Sequence, residues 1–225
     1  MPLPISPSST APARCPASRR SLGSATCAAS VAPSSESSTL IPRLVSSTEG
    51  QKFGAASTQQ QRSQVLQLVQ QVKQQQTEVP CSSSSSSSSN EAGQAGPTAG
   101  PLSGAWRLLW TTEASVHSLV RGQLLGIGVK AIQQSIDLTE QRVTNTIAFA
   151  LLGLQLQASG PLTVLNSTRI YYSFDRLLLE LLGLQLSLPL FIKGGGWTDC
   201  VVLQQDVRVM ENSRRDTLVL QRLQQ

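Results

Sequence analysis

Sulfur and imidazole are scarce in this chain, which has four cysteines, two methionines and one histidine among 225 residues. Cys15 and Cys27 lie in the first segment, Cys81 borders a serine run, and Cys200 alone lies among apolar stretches. These spacings build neither a C-x-x-C pair nor a disulfide framework, so a structural zinc site is excluded and neither metal nor cofactor is expected. Long apolar runs are also lacking. A spanning helix needs roughly 20 apolar residues without interruption, and the longest candidate, residues 177–192, contains Glu180 and Pro189. No transmembrane segment is therefore expected. Basic clustering is missing too: of the formal charge of +5, only +2 lies after Pro101, where eleven Lys and Arg face nine Asp and Glu. Binding of a phosphate backbone needs a clustered basic face, so nucleic acid is excluded as a partner.

Catalytic motifs are likewise wanting. No G-x-S-x-G elbow, P-loop or G-x-G-x-x-G follows an expected strand, and Gly194-Gly195-Gly196 precedes Trp197 rather than a phosphate-binding helix. Asp175 and Glu180 differ in parity, which places them on opposite faces of an unbroken strand. His117 is expected on an exposed helix face. The reading is a protein without catalytic residues.

What is present divides unevenly. Residues 1–30 carry Arg14, Arg19 and Arg20 among Ser and Ala, with no acid before Glu36, the composition of an organellar transit peptide. Residues 31–56 are expected to be disordered. Over 57–79 the apolar residues Val65, Leu68, Val69 and Val72 recur at i, i+3, i+4 and i+7 in a Gln-rich context, which predicts an amphipathic helix ended by Pro80. Its polar face is mostly neutral, so docking on the following domain is favoured over a membrane surface. Residues 80–101, with the run Ser82 to Ser89, read as a Ser/Gly-rich linker. The folded domain spans 102–223.

Within that domain most segments alternate with a period of two. Trp106, Leu108 and Trp110 share one parity in "LSGAWRLLWTT"; Val143, Ile147 and Phe149 share one in "RVTNTIAF", as do Ile170, Tyr172 and Phe174 in "TRIYYSF". Thr112 can cap a short helix carrying Val116, Leu119, Val120 and Leu124. "QSIDL", "WTDCVVL", "DVRVM" and "DTLVLQR" supply further strands. Many short consecutive strands with one early helix predict an antiparallel β-barrel or sandwich. The hexapeptide "LLGLQL" occurs twice, at 151–156 and 181–186. Its alternation reads as two strands that each turn a leucine face inward, rather than as a duplicated domain or a membrane span.

These segments resemble, in order, those of the plastid lipid-associated protein family, also called plastoglobulins or fibrillins. "LSGAWRLLWTTE" is similar to its opening L-x-G-x-W-x-L-L-[YW]-T. "QSIDLTEQRVTNTIAF" is similar to its Q-x-I-D…R-V-x-N pair, and residues 188–222 resemble its closing segment, although the usual Tyr-Leu-Asp is Val202-Leu203-Gln204 and the usual Arg-Gly turn is Glu211-Asn212. The resemblance implies a mainly β, lipocalin-like antiparallel barrel with a short lid helix, in a plastid, on the stromal side of thylakoids or on plastoglobules. It implies non-catalytic binding, storage or transport of lipids, prenylquinones or carotenoids. The alternatives are a structural coat of lipid bodies with no internal ligand and a lipocalin-like lipid-modifying enzyme. Gly104, Trp106 and Arg222 resemble the lipocalin arrangement in which an arginine lies across a tryptophan ring and closes one end of the barrel. Leu108, Trp110, Ile136, Ile147, Phe149, Ile170, Tyr172 and Phe174 are the expected inward, ligand-binding set. A lipophilic small molecule and a plastid lipid surface are the expected partners.

Overall fold

The strand segments close on one another in a computed structural model that describes residues 37–75, 101–122, 127–189, 195–204 and 206–224. The segments expected as transit peptide and as Ser/Gly-rich linker lie outside these residues. The strands are β1 (Gly104–Thr111), β2 (Val129–Asp137), β3 (Arg142–Phe149), β4 (Gln155–Val164), β5 (Arg169–Ser173), β6 (Arg176–Leu181), β7 (Leu184–Leu188), β8 (Gly195–Gln204), β9 (Val207–Asn212) and β10 (Thr217–Arg222). Eight of them form a closed antiparallel barrel in the order β1-β2-β3-β4-β5-β8-β9-β10, with β10 pairing back to β1. Closure removes the sheet edges that an open sheet would expose.

β6 and β7 are extra. β5 and β6 lie along the same edge of β4, β5 against Leu162–Val164 and β6 against Gln155–Ser159. The other edge of β5 carries β8, and that of β6 carries β7. At this fork the β6–β7 hairpin leaves the barrel wall.

Because the barrel strands alternate in direction, its connections sort into two ends. One end has the β2–β3, β4–β5 and β8–β9 turns together with the start of β1 and the finish of β10. The other has α3 (Ala114–Gly122) after β1, the β3–β4 turn, the β6–β7 hairpin and the β9–β10 turn.

The interior cluster contains Trp106, Leu108, Ile136, Val143, Leu162, Ile170, Cys200, Met210 and Leu220, capped at the β1 start by Leu102 and Leu138. Trp110 is not among them, which corrects the expected inward set. The β1 register slips between Leu108, opposite Leu220, and Trp110, opposite Val219, and β8 slips likewise between Cys200 and Val202. One extra residue reverses the faces of all that follow. Trp110 and Val202 therefore join Val207, Val209 and Val219 on the outer wall.

Two helices cover that outer patch. α2 (Gln59–Gln75) buries Val65, Leu68, Val69 and Val72 against it, the docking that the spacing predicts, and Lys73 Nζ lies 2.8 Å from Glu211 Oε1. α1 (Ser37–Thr48) falls within the segment expected to be disordered and corrects that expectation. Its Leu40, Ile41 and Leu44 are buried in the same cluster. Three apolar positions around Pro42 make a weak periodic signal, and the helix depends on tertiary packing more than on propensity. Trp110 fastens the connection between the two helices: its Nε1–H is shared by Gln51 Oε1 at 3.0 Å and Ser57 Oγ at 3.1 Å.

Candidate functional site

The first end of the barrel is shut. Trp106 is fully buried and its Nε1–H donates to the Leu102 carbonyl at 3.0 Å. The Arg222 guanidinium lies 4.2 Å from the Trp106 ring centroid and donates to the carbonyls of Ser103, at 2.9 Å, and Pro101. This is the contact that the lipocalin resemblance implies. Gly104 makes room for it, since its φ is +124° and a Cβ there would sit 2.8 Å from Arg222 Nη1. A desolvated contact of this kind contributes on the order of 1–2 kcal/mol.

A second cation was not foreseen. Arg208 is fully buried inside the barrel with its guanidinium 4.4 Å from the same ring, and it donates to Gln134 Oε1, while Gln134 Nε2 donates to Asn145 Oδ1 at 3.0 Å. The alternation of "DVRVM" gives Arg208 the parity of Met210, which is the signal that could have placed it inside. A charged residue between valines reads more readily as the solvated face of a strand.

Toward the second end the interior turns apolar. Leu108 belongs to the buried cluster, and Tyr172 and Phe174 pack against it with ring centroids 5.5 Å apart and planes tilted by 60°; Ile136, opposite Gly104, and Ile170, opposite Val164, are buried in the same cluster nearer the closed end. Ile147 is half-buried in a cross-strand row running from Ile132 through Leu156 to Leu179, and Phe149 is buried at the end of β3. Burial, with the nearby charge of Glu113, pushes the Tyr172 phenol above its ordinary value, partly offset by Arg208. Its hydroxyl therefore stays protonated and can donate a hydrogen bond at neutral pH.

Between Tyr172, Phe174, Trp197, Asn212 and Arg214 lies a cavity of about 160 Å³ that opens at this end. α3 stands beside it. Val116 packs on the interior cluster, Arg121 donates to the Ala55 carbonyl at 2.8 Å, and His117 Nε2–H donates to the Thr111 carbonyl at 2.8 Å. His117 is buried, contrary to its expected exposure. Thr112, expected as the cap of α3, accepts instead from the Thr217 amide and donates to Asp216, and Thr111 Oγ1 accepts from the Glu113 amide.

Asp175 and Glu180, weighed for catalysis, are not brought together with each other or with Asp206. Asp175 faces Arg142 at 3.9 Å, Glu180 accepts from Gln185 at 3.4 Å near the open end, and Asp206 lies in the β8–β9 turn at the closed end.

The leucine repeat takes a different form from the one expected. In both copies the central Leu-Gly makes a turn, with φ of 39° and 71° at Leu152 and Gly153 and of 53° and 80° at Leu182 and Gly183. After the turn the chain enters a strand, at Gln155 in the first copy and at Leu184 in the second. In the second copy that strand is exposed rather than inward: Leu184 and Leu186 keep 77% and 59% of their surface in solvent. The expectation failed because β7 lies outside the closed wall, and among the described residues no second layer covers it.

Comparison with known proteins adds three findings. The PAP_fibrillin family profile matches residues 38–216 of this chain. Over 122 residues the chain is 30% identical to "Probable plastid-lipid-associated protein 11, chloroplastic" of Arabidopsis thaliana, covering 54% of this chain and 56% of that protein. It is 25% identical over 133 residues to "Probable plastid-lipid-associated protein 12, chloroplastic" of the same plant, covering 54% of this chain and 32% of that one. The match thus spans about half or less of each relative's length. No solved structure matches.

Proposed function

The chain belongs to the PAP/fibrillin family, and from that premise we propose that it is a plastid protein that binds, stores or moves lipophilic molecules such as lipids, prenylquinones or carotenoids. Binding is non-covalent, at thylakoid or plastoglobule surfaces, with the guest entering the open end of the barrel. One observation carries this reading: one end is shut by Trp106 and Arg222, while the other holds a small cavity at Tyr172 and Phe174 and, on its β3–β4 and β6–β7 turns, exposed leucine. The names of the relatives above supply the plastid and the lipid. Ligand-binding roles for Leu108, Ile136, Ile147, Phe149, Ile170, Tyr172 and Phe174 are part of the proposal. Trp110 is not, because it faces the helices.

Size decides how a guest would sit. A cavity of about 160 Å³ is well short of the roughly 300–1,000 Å³ that encloses a drug-sized ligand, and an eight-stranded barrel is largely filled by its own side chains. A guest therefore places one end in the mouth and leaves its chain on the leucine face of β6 and β7. The Tyr172 hydroxyl is the natural donor to a carbonyl or hydroxyl head.

Titration with a short-chain benzoquinone tests this reading. Quenching of Trp197, which lines the mouth, is expected to saturate at one equivalent per chain and to weaken in Phe174→Trp, which fills the space. Absence of saturable quenching in folded protein favours a coat that binds nothing inside.

A further inference from the structure

The β3–β4 and β6–β7 turns stand next to each other. Gln155 pairs with Ala148 on one side and Glu180 on the other, so residues 149–154 and 181–184 project side by side from one three-stranded edge. Both turns are tipped with exposed leucine: Leu151 and Leu152 in one, and Leu181, Leu182 and Leu184 in the other.

Behind the second tip the ribbon has one apolar face. Leu177, Leu179 and Leu181 of β6 lie opposite Leu188, Leu186 and Leu184 of β7, whereas Leu178 and Glu180 lie opposite Ser187 and Gln185 on the other face. Leu179 is also in register with Leu156 and, across β4, with Ile147. The leucine face of the ribbon is thus the interior face of the barrel continued into solvent.

We infer that these two leucine-tipped hairpins are a lipid-surface anchor, which dips into the hydrocarbon boundary and holds the open mouth of the barrel against it. The inference rests on the lipid-binding role proposed above and names the surface that would serve it. Three observations choose lipid over a protein partner. Among the described residues the two turn tips hold no exposed aromatic or arginine side chain, whereas protein hot spots are enriched in Trp, Tyr and Arg set in pockets. Arg214 and Arg215 stand exposed in the β9–β10 turn, and Lys130 at the start of β2, at the same end of the barrel, where they complement anionic headgroups. Glu180 is the one acid on the ribbon, and its register puts it on the face opposite the leucines.

Finally, Leu152 and Leu182 occupy left-handed backbone at the first position of a two-residue turn, where Asn or Gly is favoured. Leucine there is costly both in backbone conformation and in exposure. A hydrocarbon surface explains both costs.

The same feature supplies a test that spares the fold, because Leu152→Asn and Leu182→Asn put a favoured turn residue at each apex. The probes are phosphatidylcholine vesicles with and without phosphatidylglycerol, and binding is read by co-flotation. Wild type is expected to float with the vesicles, more strongly when phosphatidylglycerol is present. Each Asn substitution is expected to weaken binding by roughly tenfold, since a leucine leaves the hydrocarbon, while the thermal midpoint stays level or rises.

Undiminished flotation of the double variant would overturn the anchor, as would a wild type that does not float. So would a concentration-dependent dimer in sedimentation that the Asn substitutions abolish, which would assign the leucines to a second copy. The benzoquinone titration uses no vesicles, so a saturable guest signal without vesicle binding removes the anchor and leaves the ligand reading standing.

Discussion

The two ends of one barrel are built to opposite rules. At the closed end nearly every demanding group is matched: Trp106 is buried with its N–H bonded, Arg222 clamps Ser103 and Pro101, and Ser103 Oγ accepts from the Leu138 amide. At the open end leucines point into solvent, two of them with positive φ, and the wall forks. The closed end is what folding alone asks of a small barrel. Stability conceded in one region of a well-folded molecule points to use there, and what is conceded here is apolar surface.

The largest effect should come from breaking the closed end. Trp106→Ala removes a fully buried indole beneath two guanidinium groups, and a loss of about 3–5 kcal/mol is expected from the cavity left behind. A shift of the urea midpoint to lower concentration with an unchanged slope checks it. A loss under about 1 kcal/mol would show that the site collapses freely and that the plug is not structural.

Next in size is the outer layer. Leu44→Ala in α1 should cost about 2–4 kcal/mol, because Leu44 is fully buried with α2 and the barrel wall. The same layer decides where a lipid could not bind. Val65, Leu68 and Val72 are already covered, so the Gln-rich helix has no free apolar face to offer.

How far such contrasts could be read from sequence depends on what breaks an alternation. The strands of the barrel were legible, because a period of two survives wherever one face is buried and the other is not. A one-residue slip leaves no mark in composition, and the bulge after Leu108 therefore hid the outward turn of Trp110 and with it the seat of α1 and α2. At 151–156 the alternation runs on through the residues of the turn, so Leu-Leu-Gly passed for strand. Asn-Gly there would have announced a hairpin. The Trp106–Arg222 contact came from family resemblance, since no local rule joins residues so distant in sequence.

A third experiment measures coupling at the closed end. Arg222→Ala should cost about 1–2 kcal/mol, and together with Trp106→Ala the loss should fall short of the sum, because the stacking contact can be removed only once. Gly104→Ala perturbs the same contact from the other side, since its Cβ would meet the guanidinium and its φ is left-handed. Strict additivity of the Trp106 and Arg222 losses in chemical denaturation would show that the observed stacking contributes no stability.

The smallest effect has the opposite sign and belongs to the open end. Leu182 is 70% exposed with φ of 53°, so its side chain gains little from folding while its backbone pays for a left-handed conformation that costs most L-residues roughly 1–2 kcal/mol. Asparagine tolerates that region better because its short polar side chain bonds locally, and Asn-Gly is the preferred pair for a two-residue hairpin turn. Leu182→Asn should therefore raise stability by about 0.5–1 kcal/mol, which calorimetry resolves as a higher midpoint. The gain sharpens the contrast between the ends, because a substitution that improves folding where wild type carries leucine shows that the leucine is not there for the fold. A drop in midpoint would mean that Leu182 makes a packing contribution that its exposure conceals, and the open end would then obey the same rule as the closed one.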